Sequence, residues 1–275
     1  MTRTRRLAVV TLGVLVVAAG VVVAQRGGRQ RPISEDRRGV ANWENDPKFK
    51  HDVFTFVRIE YDTRGRRWGW TTDWPDADLN LSFRLQQLTT LKVNPEPITL
   101  RLTDPRLFDH PFIYIVEPGG MELSEDEVLA LRKYLLNGGF LMVDDFWGDS
   151  QWENLAREMK RVFPDRVPED VPLKHEIFHI VYDLKERPQI PSIQAAWRGR
   201  DEGITWEPWH DGNTKDVHYR ALYDDKGRMM AFICHNTDNG DGWEREGDDP
   251  WYFKEFSEKK AYPLGINIVV YAMTH

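Results

Sequence analysis

Two unbroken apolar runs constrain this chain most: Phe112–Val116 (FIYIV) and residues 140–143 (FLMV). Neither alternates with polar residues, so each reads as a strand buried on both faces. Between them lies LSEDEVLALRKYLLNGG. Ser124 with Glu127 three residues on is a capping box, and Val128, Leu131, Leu135 and Leu136 form one apolar stripe. Asn137-Gly138-Gly139 stops the helix. Strand, crossover helix and strand in this order pair in parallel, with the helix packed on the sheet. The exits of the two strands, Glu117 and Asp144-Asp145, should then open on one hollow, because ligands of open α/β sheets bind outside the carboxyl ends of the strands.

The flanking sequence extends the pattern. Residues 54–61 (FTFVRIEY) read as a strand rich in β-branched and aromatic residues, followed by the aromatic loop 68–75 (WGWTTDWP). Residues 78–89 predict a helix with Asp78 as N-cap and Leu81, Leu85 and Leu88 on one stripe. Residues 98–102 form a short strand, and 152–163 a second amphipathic helix before Pro164. Residues 185–220 hold Pro188, Pro191, Pro208 and several Trp, and read as a surface insertion. Residues 220–236 predict a hairpin turning at Asp225-Lys226-Gly227, and 263–274 a closing helix with Ile266, Val269, Val270 and Met273 on one face. The fold class is α/β, a mostly parallel sheet in a sandwich, with a late β-hairpin and a Trp/Pro-rich insertion.

Residues 1–31 carry a basic start and an unbroken apolar run over 7–24, ending in small residues. Residues 1–24 are expected to be a signal peptide or an uncleaved membrane anchor, leaving Sec and twin-arginine export both open. Residues 25–47 follow as a polar linker, and 48–275 as one domain. Localisation is therefore expected in the periplasm or cell envelope, with membrane contact only through the first segment. The formal net charge of −7 excludes a nucleic-acid surface over the whole molecule. The single cysteine, Cys234, excludes an internal disulfide.

The phrases WTTDWPDADLNLSFRL, LRKYLLNGGFLMVDDFWG, EMKRVFP, NTDNGDGWE and GINIVVYAMTH resemble the domain-of-unknown-function 4159 family over about residues 50–275. The resemblance implies a flavodoxin-like sandwich similar to class I glutamine amidotransferases, and it implies no established activity.

Four candidate chemistries follow. HEIFH, residues 175–179, matches H-E-x-x-H, in which two histidines on one helical face bind zinc and the glutamate activates water. The nearby Pro168, Pro172 and Pro188 and the β-rich IFHIVY favour a strand, where Glu176 would face away from His175 and His179. The resembling family also tends to carry proline at the Glu176 position. An amidotransferase needs a cysteine at the turn after a sheet strand. This chain has Asp144-Asp145 there, and Cys234 reads as packing. The acidic exits carry Tyr61, Glu117, Asp144 and Asp145, whose oxygens would suit a sugar or a divalent metal unless they only cap a helix. The run 236–244, with Asn236, Asp238 and Trp243, loosely resembles a calcium loop but lacks the full twelve-residue pattern, and a plain Gly-rich turn is the favoured reading. Trp70, Asp73 and Arg84 are expected to line the same crevice. The weak metal candidates are Asp144, Asp145, His175 and His179.

Three functions remain open: a non-catalytic module for a small molecule, a carbohydrate or an envelope protein; a hydrolase of envelope material acting through the acidic crevice; and an HExxH zinc peptidase. No cofactor is expected beyond an optional divalent metal.

Overall fold

The computed structural model describes residues 33–49, 52–64 and 69–275. The segment expected to be a leader, 1–24, the part of the expected linker up to residue 32, and Trp68 lie outside these residues. Among the described residues no helix is long and apolar enough to cross a membrane.

The chain builds a seven-stranded sheet. Its strands are β1 (Val57–Glu60), β3 (Ile98–Arg101), β4 (Phe112–Val116), β6 (Phe140–Asp144), β7 (Glu169–Asp170), β8 (His218–Tyr223) and β9 (Met229–His235). Their spatial order is β3-β1-β4-β6-β9-β8-β7. The first five strands in that order are parallel, and β8 is antiparallel to both of its neighbours. A separate pair, β2 (Asp62–Thr63) and β5 (Met121–Glu122), runs antiparallel. The chain moves from β1 outward to β3 and then back across to β4, so the winding reverses between β1 and β4. That reversal is the switch point where flavodoxin-like folds open a crevice.

Alternation along β4 sets the layers. Phe112, Tyr114 and Val116 face one core, and Ile113 and Ile115 face the other. On the first face pack α1 (Asp76–Leu88), α5 (Asn239–Glu244) and α7 (Tyr262–Thr274), through Leu81, Leu85, Trp243, Leu264 and Ile268. On the second pack α2 (Glu125–Leu136) and α3 (Gly148–Val162), through Leu131, Leu135, Leu155 and Met159. The result is a flavodoxin-like α/β/α sandwich. The capping box is formed as expected: Ser124 accepts from the Glu127 amide, and the Glu127 carboxylate accepts from the Ser124 amide at 2.9 Å.

Three expectations are corrected. The first helix starts at Asp76, so Asp78 is not its cap. Asp78 is buried and accepts from Arg58 Nε at 3.1 Å, because a fully buried guanidinium on β1 demands a carboxylate partner. Residues 185–220 are not a surface insertion. They contribute α4 (Ile193–Gly199), bury Ile190, Ile193, Ala195 and Ala196, and brace the loop after β9. HEIFH is neither helix nor strand. Residues Glu176–Phe178 make a single 3-10 turn, capped by His175, whose Nδ1 accepts from the Ile177 amide at 3.2 Å.

Candidate functional site

The carboxyl ends of β1, β4, β6 and β9 form one acidic crest. Val116 pairs with Asp144, and the Glu117 amide donates to the Asp144 carbonyl at 3.1 Å, so the exits of β4 and β6 are adjacent. Tyr61, past the end of β1, donates its hydroxyl to the carbonyls of Val116 and Glu117. The loop after β1 is drawn in by Arg58, which donates to the carbonyls of Trp70 and Thr72 while its guanidinium lies over the Tyr114 ring. This brings Asp73 to the crest in the left-handed conformation, φ 61°. Glu117, Asp145 and Asn236 are also left-handed, at φ 49°, 53° and 60°. Such strain in non-glycine residues gathers at functional turns.

The carboxylates are not equivalent. Asp144 is fully used: Oδ1 accepts from Asn239 Nδ2 at 2.7 Å, and Oδ2 accepts from the Gly240 amide and the Tyr114 hydroxyl, both at 3.1 Å. Burial pushes its carboxyl up to about 6, against the pull of these donors. Asp145 is 9 % exposed, and no hydrogen bond to its carboxylate is found among the described residues. Burial holds Asp145 well above the usual carboxylate range, and the charges of Glu117, Asp73, Glu207 and Asp144 add to it. Asp238 is raised in the same way, by burial and then by Asp145, Asp241 and Asp73.

Asp73, Asp238 and Asp241 each offer one oxygen, all within 4.8 Å of one another. Asp73 Oδ2 is buried with no hydrogen-bond partner among the described residues. Like charges about 4 Å apart repel by roughly 4 kcal/mol at an effective dielectric of about 20. A crest of this kind must therefore hold protons or attract cations.

The other sequence candidates fall elsewhere. Asn236 is a bracket: Oδ1 accepts from the Gly148 amide, and Nδ2 donates to the carbonyls of Asn213 and Asp216. Trp243 is fully buried, and its Nε1 donates to the Ala261 carbonyl at 2.9 Å. Arg84 reaches Glu246 beyond α5, not the crest. Cys234 is buried in the core, and burial pushes its thiol up, away from nucleophilic use. His175 packs on Tyr271, which packs on Phe140, the first residue of β6, whereas Asp144 is the last. The two candidate histidines thus lie toward the opposite pole. His179 uses both ring nitrogens, on Asp183 and on the Leu173 carbonyl, each at 2.6 Å.

Sequence reasoning missed Arg58, Glu207 and His210, and it placed Asp241 in the run 236–244 without singling it out. Asp238 caps α5 by accepting from the Asp241 amide at 2.7 Å, and this Asp-x-x-Asp spacing was visible in the sequence. Glu207 and His210 were not visible. They come from the segment read as an insertion, joined by a 3.0 Å contact, with the His210 ring stacked on Trp147. A cleft of about 430 Å³ also opens beside α5, lined by Asp76, Glu244, Glu246 and Asp248 among others. It lies between α1, the end of α5 and the segment 38–41, and holds none of the strand-end carboxylates.

Fold and crest together define a flavodoxin-like α/β domain with an acidic switch point. The chain matches the family described as Domain of unknown function (DUF4159) over residues 55–273, and it belongs to that family. No curated protein matches it.

Proposed function

We propose that this chain is an exported, non-catalytic binding domain, built on an amidotransferase-like variant of the flavodoxin-like sandwich, that recognises a hydroxyl-rich envelope ligand at its acidic crest. One observation carries the reading. The strained turn after β6, where an amidotransferase needs its cysteine, holds Asp145 at φ 53°, and the only cysteine is sealed in the core. Carboxylates accept hydrogen bonds from sugar hydroxyls, and beside Glu207 the His210 ring, backed by the buried Trp147, stands next to the half-exposed Trp209. The leader at residues 1–24 supports delivery to the envelope.

A second reading, hydrolysis of envelope material with Asp145 as acid or base, is favoured by the left-handed backbone at Asp73, Glu117 and Asp145. One experiment separates the two. The full-length chain is sedimented with isolated cell-wall glycan, and the supernatant is assayed for new reducing ends. The binding reading expects saturable co-sedimentation, weakened about tenfold in Asp145→Asn, as loss of one charged hydrogen bond would give. It also expects no new reducing ends. Reducing ends that vanish in Asp145→Asn would establish hydrolysis instead. Absent co-sedimentation, or unchanged binding by the variant, would overturn the crest as the recognition surface.

A further inference from the structure

We propose that Asp73, Asp238 and Asp241 hold a hard divalent cation, Ca²⁺ or Mg²⁺, at the crest. The inference deepens the binding reading and rests on it, since a cation at this place would offer open coordination positions to ligand hydroxyls.

The donor set is all carboxylate oxygen, which suits hard cations and not zinc or copper. The three oxygens lie within 4.8 Å of one another, inside the span of about 5 Å that two oxygens bound to one Ca²⁺ can have. Two of the three side chains are already oriented. Asp238 Oδ1 accepts from the Asp241 amide, and Asp241 Oδ2 accepts from the Ile193 amide, both at 2.7 Å. Backbone contacts of this kind fix metal-ligating carboxylates in place.

Two further observations point to a ligand. Asp73 Oδ2 is buried against the Cα of Gly240, with no hydrogen-bond donor among the described residues. Asp145 is buried to nine-tenths beside it, with its carboxylate oxygens at the open side of the crest, and it is the charge that bears most on Asp238. An orphaned buried oxygen such as Asp73 Oδ2 is costly unless something satisfies it. Among the described residues the guanidinium in contact, Arg245, approaches Asp241 Oδ1 only at 3.4 Å and is shared with Glu244 and Asp248. Arg58, fully buried, is committed to Asp78 and to the loop carbonyls. Among the described residues, neither guanidinium is free to balance Asp73 and Asp238, so the site takes up protons or a cation, and the cation is what is proposed.

The test is calorimetric titration of the full-length chain, stripped with EDTA, against CaCl₂ and separately MgCl₂. One site per chain is expected, with affinity at least about tenfold weaker in Asp73→Asn and Asp238→Asn, as loss of a ligand gives. Asp73→Asn is nearly isosteric and breaks no hydrogen bond of Oδ2. In EDTA its melting temperature should equal or exceed that of the wild type, while added Ca²⁺ should no longer raise it. The proposal is overturned if neither metal binds saturably up to about 10 mM, ten times the weak end for extracellular calcium modules. It is equally overturned if both variants bind as the wild type does. Glycan co-sedimentation in EDTA separates the two readings. Glycan binding without any metal site leaves the binding reading standing alone, and a metal site without glycan binding leaves the cation site standing alone.

Discussion

Asp73 Oδ2 rests against the bare Cα of Gly240, so that a methyl group at residue 240 would overlap the carboxylate and come within 3.4 Å of both the Tyr114 hydroxyl and Asp238 Oδ1. The loop after β1 and the first turn of α5 are thus fitted to each other at a single atom. Gly240→Ala tests this fit. Helix propensity alone would stabilise the variant by up to about 1 kcal/mol. Overpacking should win, costing roughly 1–3 kcal/mol in urea denaturation. A variant as stable as the wild type would mean that Asp73 does not sit there.

Arg58 and Asp78 form a buried pair with neither side chain exposed. Removing one partner leaves an uncompensated buried charge, and Arg58→Met should cost about 3–5 kcal/mol. The double variant Arg58→Met with Asp78→Leu should recover more than half of that loss, measured in the same denaturation series. Additive losses in the double variant would contradict the pairing.

His235 is held neutral. Burial drives its pKa down to about 3, helped by Arg220 and His218 and opposed by the Gly148 carbonyl. Its Nδ1 faces the Arg220 guanidinium at 3.1 Å, and its Nε2 donates to Gly148 O at 3.0 Å. Between pH 6.5 and 3 the unfolded chain takes up a proton at this residue and the folded chain does not, so stability falls as pH falls. From pH 7 to 4.5 the loss should be about 2–3 kcal/mol. The crest carboxylates titrate in both proteins alike, so the difference between wild type and His235→Gln isolates this residue. A difference that stays constant across that range would refute the neutral imidazole.

The HEIFH segment should carry no zinc chemistry. His179 has no free ring nitrogen, His175 Nδ1 is taken by a backbone amide, and Glu176 pairs with His275. Elemental analysis of the purified chain is expected to show no zinc that depends on this motif. Stoichiometric zinc, lost in His175→Ala, would reverse that conclusion.

The sequence by itself determined the elements whose signals are local. FIYIV and FLMV are strands because an unbroken apolar run needs cover on both faces. Ser124 and Glu127 start a helix because their side chains and amides lie within reach of one another along the chain. The adjacency of Glu117 and Asp144 followed from those elements, since parallel neighbours share a carboxyl edge. Only the tertiary structure decided the rest, because it depends on residues far apart in sequence. Asp78 read as a cap until Arg58, twenty residues earlier, claimed it. HEIFH fitted two periodicities and adopted neither, since its histidines were bound by local backbone groups. The segment 185–220 looked like an insertion because its contacts with the loop after β9 are long-range: Ile190 O accepts from Asp238 N, and Ile193 N donates to Asp241. The grouping of Asp73 with Asp238 and Asp241 joins the first strand's loop to the last strand's loop. No pattern within either segment encodes a distance between them.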